Sequence, residues 1–159
     1  MPVDLPSINR SASRDLTGML TRSVVPSSLL RTALLIDAVV SGAMGVLQLV
    51  ATDWLATLTS LPSALLFESG LFFVVYASLL VVLARRAPVR SSLIGFIVIG
   101  NVGFAIACAA LLLSTLVSPS GLGKLFVLLQ LDAVLVFAAL EWRGLVRSET
   151  ATASRAIAG

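Results

Sequence analysis

Asp37, Tyr76, Asn101 and Asp132 are the side chains in this sequence best able to hold or pass a proton, and each is embedded in an apolar run. They stand in LLIDAVV, FVVYASLL, VIGNVGF and LQLDAVL. A polar or ionisable group in such a run is costly unless it finds a partner. Each lies about eight or nine residues from the basic end of its run, which at helical rise is a depth of about 12 Å. If the four face inward, they meet as one polar layer to which each run contributes a member. Two uses of that layer compete. One is a hydrogen-bonded clamp in which a carboxyl keeps its proton and donates to Asn101 or Tyr76. The other is a proton or cation site in a transport path. No Lys or Arg shares that depth; Arg31 is closer to the run's end, from which its long stem can reach Asp37. A second polar pair, Gln48 and Glu68, falls toward the other end of the first two runs. A mutual hydrogen bond is the simpler expectation for it, and a vestibule for a solute the sharper one.

Other chemistries lose their parts. There is no histidine, which removes His-ligated haem and metal, and Ser-His or Cys-His catalysis. The single cysteine, Cys108, allows no internal disulfide and reads as packing among alanines. Two aspartates at matched depth suggest intramembrane aspartyl proteolysis, but the Gly-x-Gly-Asp and Tyr-Asp motifs are absent. Gly121-x-Gly123-Lys124 lacks P-loop spacing and reads as a turn. No catalytic residue, cofactor or metal site is assigned. The net charge of +3 would suggest nucleic acid in a soluble protein, but the basic residues flank apolar runs, so topology and anionic lipid explain them better.

The elements that must position these groups follow from composition. At 58% hydrophobic and 12% charged, 159 residues cannot hide their apolar surface in a water-soluble interior. Runs at about 29–51, 64–84, 93–117 and 122–141 are each long enough to cross a hydrocarbon core as helix. The loop TDWLATLTSLP carries Trp54 as an interfacial anchor, RRAPVRSS is a basic loop broken by Pro88, SPSG is a turn, and Trp142 marks the far interface. Residues 1–27 are expected to be a flexible arm with a short amphipathic piece around Leu16 to Leu20, residues 28–142 the membrane domain, and 143–159 a frayed polar tail. Arg10, Arg14, Arg22, Arg31, Arg85, Arg86, Arg90, Arg143, Arg147 and Arg155 all fall on one side of the runs, and only Lys124 on the other. The positive-inside rule then places both termini in the cytoplasm. The fold class expected is all-α, an antiparallel four-transmembrane-helix bundle. Asp37, Ser41, Gly45 and Gln48 share one helical face, as do Asn101, Ala105 and Cys108, with Gly100 and Gly103 beside them for close packing. The two halves of the chain also align at an offset of about 62 to 64, which sets Asp37 against Asn101 and Glu68 against Gln130, the pattern of a duplicated hairpin.

LLRTALLIDAVVSGAMGVLQLVA, a glycine two residues after Glu68, IGNVGFAIACAALLL and LDAVLVFAALEWRGLVR together resemble a broad group of small bacterial four-span integral membrane proteins of unassigned function. The resemblance covers about Leu29 to Arg147 and rests on Arg31, Asp37, Gly42, Gly45, Gly70 and Asn101; Phe104 stands where a Trp is expected. It implies a bacterial inner membrane and nothing catalytic. The function expected is that of an accessory or self-associating membrane bundle without enzymatic activity. Its partners would be the bilayer and a homo-oligomer or a larger membrane protein. A small proton-coupled transporter or channel using Asp37 and Asp132 is second, and an intramembrane enzyme third.

Overall fold

A computed structural model describes residues 23–158, with side chains described as far as Glu149. The expected arm therefore lies outside the described residues up to position 22, including the piece around Leu16 to Leu20. Among the described residues the structure is helical apart from a two-residue strand pair and short connections. In order it forms β1 (Ser23–Val24), α1 (Ser28–Val50), α2 (Thr52–Thr59), α3 (Ser63–Arg85), β2 (Val89–Arg90), α4 (Ser91–Leu113) and α5 (Gly121–Ala158). Four of the helices, α1, α3, α4 and α5, are long and apolar enough to cross a membrane. Only 22% to 39% of each membrane-length stretch is buried within the molecule. Val39, Val50, Val75, Phe96 and Ile99 are among the large apolar side chains left outside. Such a surface is stable in hydrocarbon and not in water.

Helix limits follow local chemistry. Ser27 caps α1, its hydroxyl accepting from Leu30 N at 3.3 Å. α4 stops at Leu113, four residues short of the expected 117. Ser114 folds its hydroxyl back onto Leu111 O at 3.0 Å, and Pro119 follows. The segment read as a plain loop after α1 is instead the short helix α2, which ends at Ser60 in a left-handed cap with φ 55°. The tail after Arg143 is not frayed as expected but continues α5 to Ala158. Its Leu145 and Ser148 are buried, and packing compensates for the polar composition.

α1 packs chiefly on α3 and secondarily on α5, and α4 packs on α5. The α1–α3 crossing is close because glycine faces glycine: a Cβ on Gly45 would stand 2.8 Å from Gly70 O. Gly144 does the same for α5, where a Cβ would meet Leu30 Cα at 2.8 Å. At one end of the molecule β1 pairs antiparallel with β2, Ser23 opposite Arg90 and Val24 opposite Val89. Ser27 Oγ there donates to Gly144 O at 2.9 Å, and Ser27 N donates to Ser148 Oγ at 2.8 Å. The segment before α1, the α3–α4 connection and the second half of α5 are thus joined at the arginine-rich end. At the other end Ser120 N donates to Thr59 O at 2.9 Å and Ser120 Oγ to Leu58 O at 2.7 Å, fastening the α4–α5 connection to α2.

Candidate functional site

Asp37 is wholly buried on α1, nine residues in from Ser28. Its Oδ1 accepts from Ser41 Oγ, one turn further along, at 2.7 Å. Its Oδ2 lies 3.1 Å from Tyr76 Oη on α3 and 3.4 Å from Asn101 Nδ2 on α4. Tyr76 Oη is also 3.0 Å from Asn101 Oδ1. Asn101 Nδ2 donates to Glu141 Oε2 on α5 at 3.1 Å. Glu141 is wholly buried as well, and its Oε1 has no hydrogen-bond partner. Each of the four long helices therefore supplies one member of a continuous network. No family model, curated protein or solved structure matches this chain. The network has to be understood from its own atoms.

Three of the four side chains expected in the layer meet there, and the fourth does not. Asp132 is exposed on the outer face of α5, and Glu141 takes its place. Nine residues separate the two, which at about 100° per residue sets them on opposite sides of the helix. Matched depth selected Asp132, but azimuth decides. The signal that finds Glu141 is the row Val134, Phe137, Ala138, Glu141, Leu145 and Ser148, buried at helical spacing. Glu141 begins nearer the arginine-rich end than the layer it joins. The Cα–Cβ bond tilts toward a helix N-terminus, which for α5 lies at the opposite end, so the side chain leans inward toward Asp37.

The second pair does not form. Gln48 is wholly buried, but its Oε1 accepts from Ser69 Oγ at 2.5 Å, while Glu68 is exposed one position earlier on α3. Gln48 Nε2 has no partner. Ser41 and Gly45 are buried with Asp37 and Gln48, and Ala105 and Cys108 with Asn101, as their spacing predicts. Gly100 and Gly103, by contrast, are exposed with open space around them and mediate no close helix approach among the described residues.

The hydrogens of the network can be counted. Five contacts link the side chains, one from Ser41, two from Tyr76 and two from the Asn101 amide nitrogen. Two hydroxyls and one primary amide carry four hydrogens. The deficit falls at Tyr76, whose single O–H faces both Asp37 Oδ2 and Asn101 Oδ1. If it donates to the amide oxygen, Asp37 must donate to Tyr76, which needs a proton on Asp37. The oxygen and nitrogen of an amide exchange places by a half-turn. Asn101 then donates to Tyr76, Tyr76 donates to Asp37, the long 3.4 Å contact lapses, and the amide oxygen faces Glu141. That arrangement needs the proton on Glu141. Each closure needs at least one carboxyl proton, on Asp37 in the first and on Glu141 in the second. No Lys or Arg is hydrogen-bonded to either carboxyl among the described residues.

Proposed function

We propose that this chain is a proton-handling four-helix bundle of the bacterial inner membrane, a small proton-coupled transporter in which Asp37 and Glu141 hold one proton between them. The observation that carries this reading is that two wholly buried carboxyls from different helices, Asp37 and Glu141, are joined through Tyr76 and Asn101 with no Lys or Arg hydrogen-bonded to either among the described residues. Keeping all five contacts at once needs a carboxyl proton, and the pair offers two places for it. Asp37 and Glu141 are also within hydrogen-bonding reach of each other, so the proton passes directly from one carboxyl to the other, and Tyr76 and Asn101 reorient to donate to whichever carboxyl is left ionised. An ionisable group inside a membrane-spanning bundle with no cationic partner among the described residues is most economically explained by proton traffic. Both termini and the α3–α4 connection face the cytoplasm in this proposal. The one-sided arginines support that orientation, and so does the junction of the β1, β2 and Gly144–Ser148 segments at one end.

The test is flux. Purified protein in liposomes with an imposed pH gradient should dissipate the gradient, alone or with a co-transported solute. Asp37→Asn and Glu141→Gln should each reduce the rate at least tenfold while Tyr76→Phe leaves a residual rate. Rates in both carboxyl variants equal to wild type would rule the proposal out.

A second reading, an accessory or self-associating bundle, is supported by one observation. Asp132 is exposed midway along a membrane-length helix, on a face it shares with exposed Leu125, Leu128, Leu129 and Leu135. A carboxyl in that position calls for protein rather than lipid beside it. The two readings are compatible, because Asp132 lies on the side of α5 opposite Glu141, so contact between copies there leaves the buried network intact.

A further inference from the structure

A cavity of about 150 Å³ lies between α3, α4 and α5, in the half of the molecule away from the arginine-rich end. Most of its wall is apolar, with one ring from α4, Phe104, and one from α5, Phe126. Leu65 on α3 and Ala107 on α4 also line it and are exposed, so it opens toward the bilayer. Two uncharged polar side chains complete the wall, Gln130 and Ser69. Gln130 lies three residues after buried Val127 and four before buried Val134, on the inward row of α5. It stands about 13 Å along the helix from Gly121, deep within the membrane-length stretch. Its side-chain amide has no hydrogen-bond partner among the described residues. An amide left unpaired at that depth is costly. Ser69 is spent as a donor but open as an acceptor. Its one hydrogen is within reach of Gln48 Oε1, of Leu65 O at 2.7 Å and of Leu66 O at 3.1 Å, while no donor faces its oxygen among the described residues.

We infer that this cavity binds a neutral single-ring molecule bearing a hydroxyl, of the phenol class, taken up from the bilayer. Volume sets the body of the ligand, because an apolar cavity of about 150 Å³ stays dry and accepts one benzene ring. The unpaired amide sets the substituent. A hydroxyl both donates and accepts, so it can answer either end of the Gln130 amide or donate to the Ser69 oxygen. Other occupants leave something unmet. Water at about 30 Å³ per molecule would fill the space with about five molecules, each needing two or more polar partners, and the wall offers two polar side chains. A lipid acyl chain would leave the amide unpaired. An ion would lose its hydration to a wall without a charged side chain. Neither Asp37 nor Glu141 lines the cavity, so the inference goes beyond the proton-sharing reading and does not depend on it.

The experiment uses the full chain in lipid nanodiscs, with 4-fluorophenol as probe and 4-fluorotoluene as the same body without a hydrogen-bonding group. Fluorine NMR follows both, each referenced to empty discs. Both should bind saturably, and the phenol about tenfold more tightly, the worth of one hydrogen bond. Gln130→Leu should erase that preference while the toluene still binds, and its binding shows that the cavity has survived the substitution. Ala107→Phe, at an exposed position on the cavity's edge that folding does not need, should weaken both probes together by about tenfold or more, as expected of a blocked cavity. Absence of saturable binding, or equal affinity of the two probes for wild type, would overturn the inference. So would a preference for the phenol that outlasts Gln130→Leu, because the hydroxyl would then be recognised elsewhere.

Discussion

At the scale of single residues, much of the energetic weight of the network lies with Asn101, because it bonds members from every other long helix. Interhelical hydrogen bonds within membranes contribute about 0.6 kcal/mol each, and up to about 1.7 kcal/mol. Tyr76→Phe removes a shared hydroxyl and should cost about 1 kcal/mol. Asn101→Leu removes the amide from two buried carboxyls at once and should cost about 2–4 kcal/mol, since acceptors left unpaired add their desolvation. Reversible unfolding in mixed detergent micelles measures both, and a smaller loss for the leucine variant than for the phenylalanine variant would contradict this ranking. Infrared spectra near neutral pH should contain a protonated-carboxyl carbonyl band. It should weaken but persist in either Asp37→Asn or Glu141→Gln and vanish in the double variant. Matched depth made Asp37, Tyr76 and Asn101 legible in the sequence, because each has one obvious polar position per run. Glu141 was not legible that way. It stands at the apparent end of its run, and only its azimuth within the buried row and the inward lean of its side chain bring it to Asp37.

At the scale of elements, close approach between helices is set by where glycine is missing a side chain, not by where glycine occurs. A methyl at Gly45 would strike the Gly70 carbonyl, and one at Gly144 would strike the Leu30 backbone, whereas a methyl at Gly100 meets nothing within 4 Å. Gly45→Ala and Gly144→Ala should each cost about 1–3 kcal/mol by forcing helices apart. Gly100→Ala should stay within about 0.5 kcal/mol of wild type. Thermal unfolding of the three variants side by side gives the comparison, and a destabilised Gly100→Ala would show that the open face is covered in the membrane. The spans themselves were legible to within four residues, because hydrocarbon thickness constrains length and composition together. The second half of α5 was not. Its polar composition suggests fraying, and only the buried row continued by Leu145 and Ser148 shows that it is held. A stop after Trp142 removes Leu145 and Ser148 from that row along with the Ser27 bonds to Gly144 and Ser148. Such a chain should unfold at lower temperature than wild type, and an unchanged midpoint would mean that the extension is dispensable.

At the scale of the whole molecule, the surroundings of the chain decide what its surface means. Exposed Leu, Val and Phe on all four long helices need no explanation in lipid, where packing rather than hydrophobicity drives helix association. Asp132 does need one. A carboxyl at the centre of a membrane helix costs about 2.5–3.5 kcal/mol on insertion scales. Its helical neighbours Leu125, Leu128, Leu129 and Leu135 are exposed beside it and offer it no partner. Around a vertical two-fold axis, a second copy would bring its own Asp132 to the same depth, where two carboxyls can hydrogen-bond by sharing a proton. Asp132→Leu should then separate the copies while making each one easier to insert, and Asp132→Asn, which keeps hydrogen-bonding groups, should retain association in part. Single-molecule photobleaching of labelled protein in bilayers at low density counts the copies directly. Wild type should bleach in more than one step and the leucine variant in one. Single-step bleaching of wild type would leave Asp132 facing lipid alone, and the self-associating reading would lose the observation on which it stands.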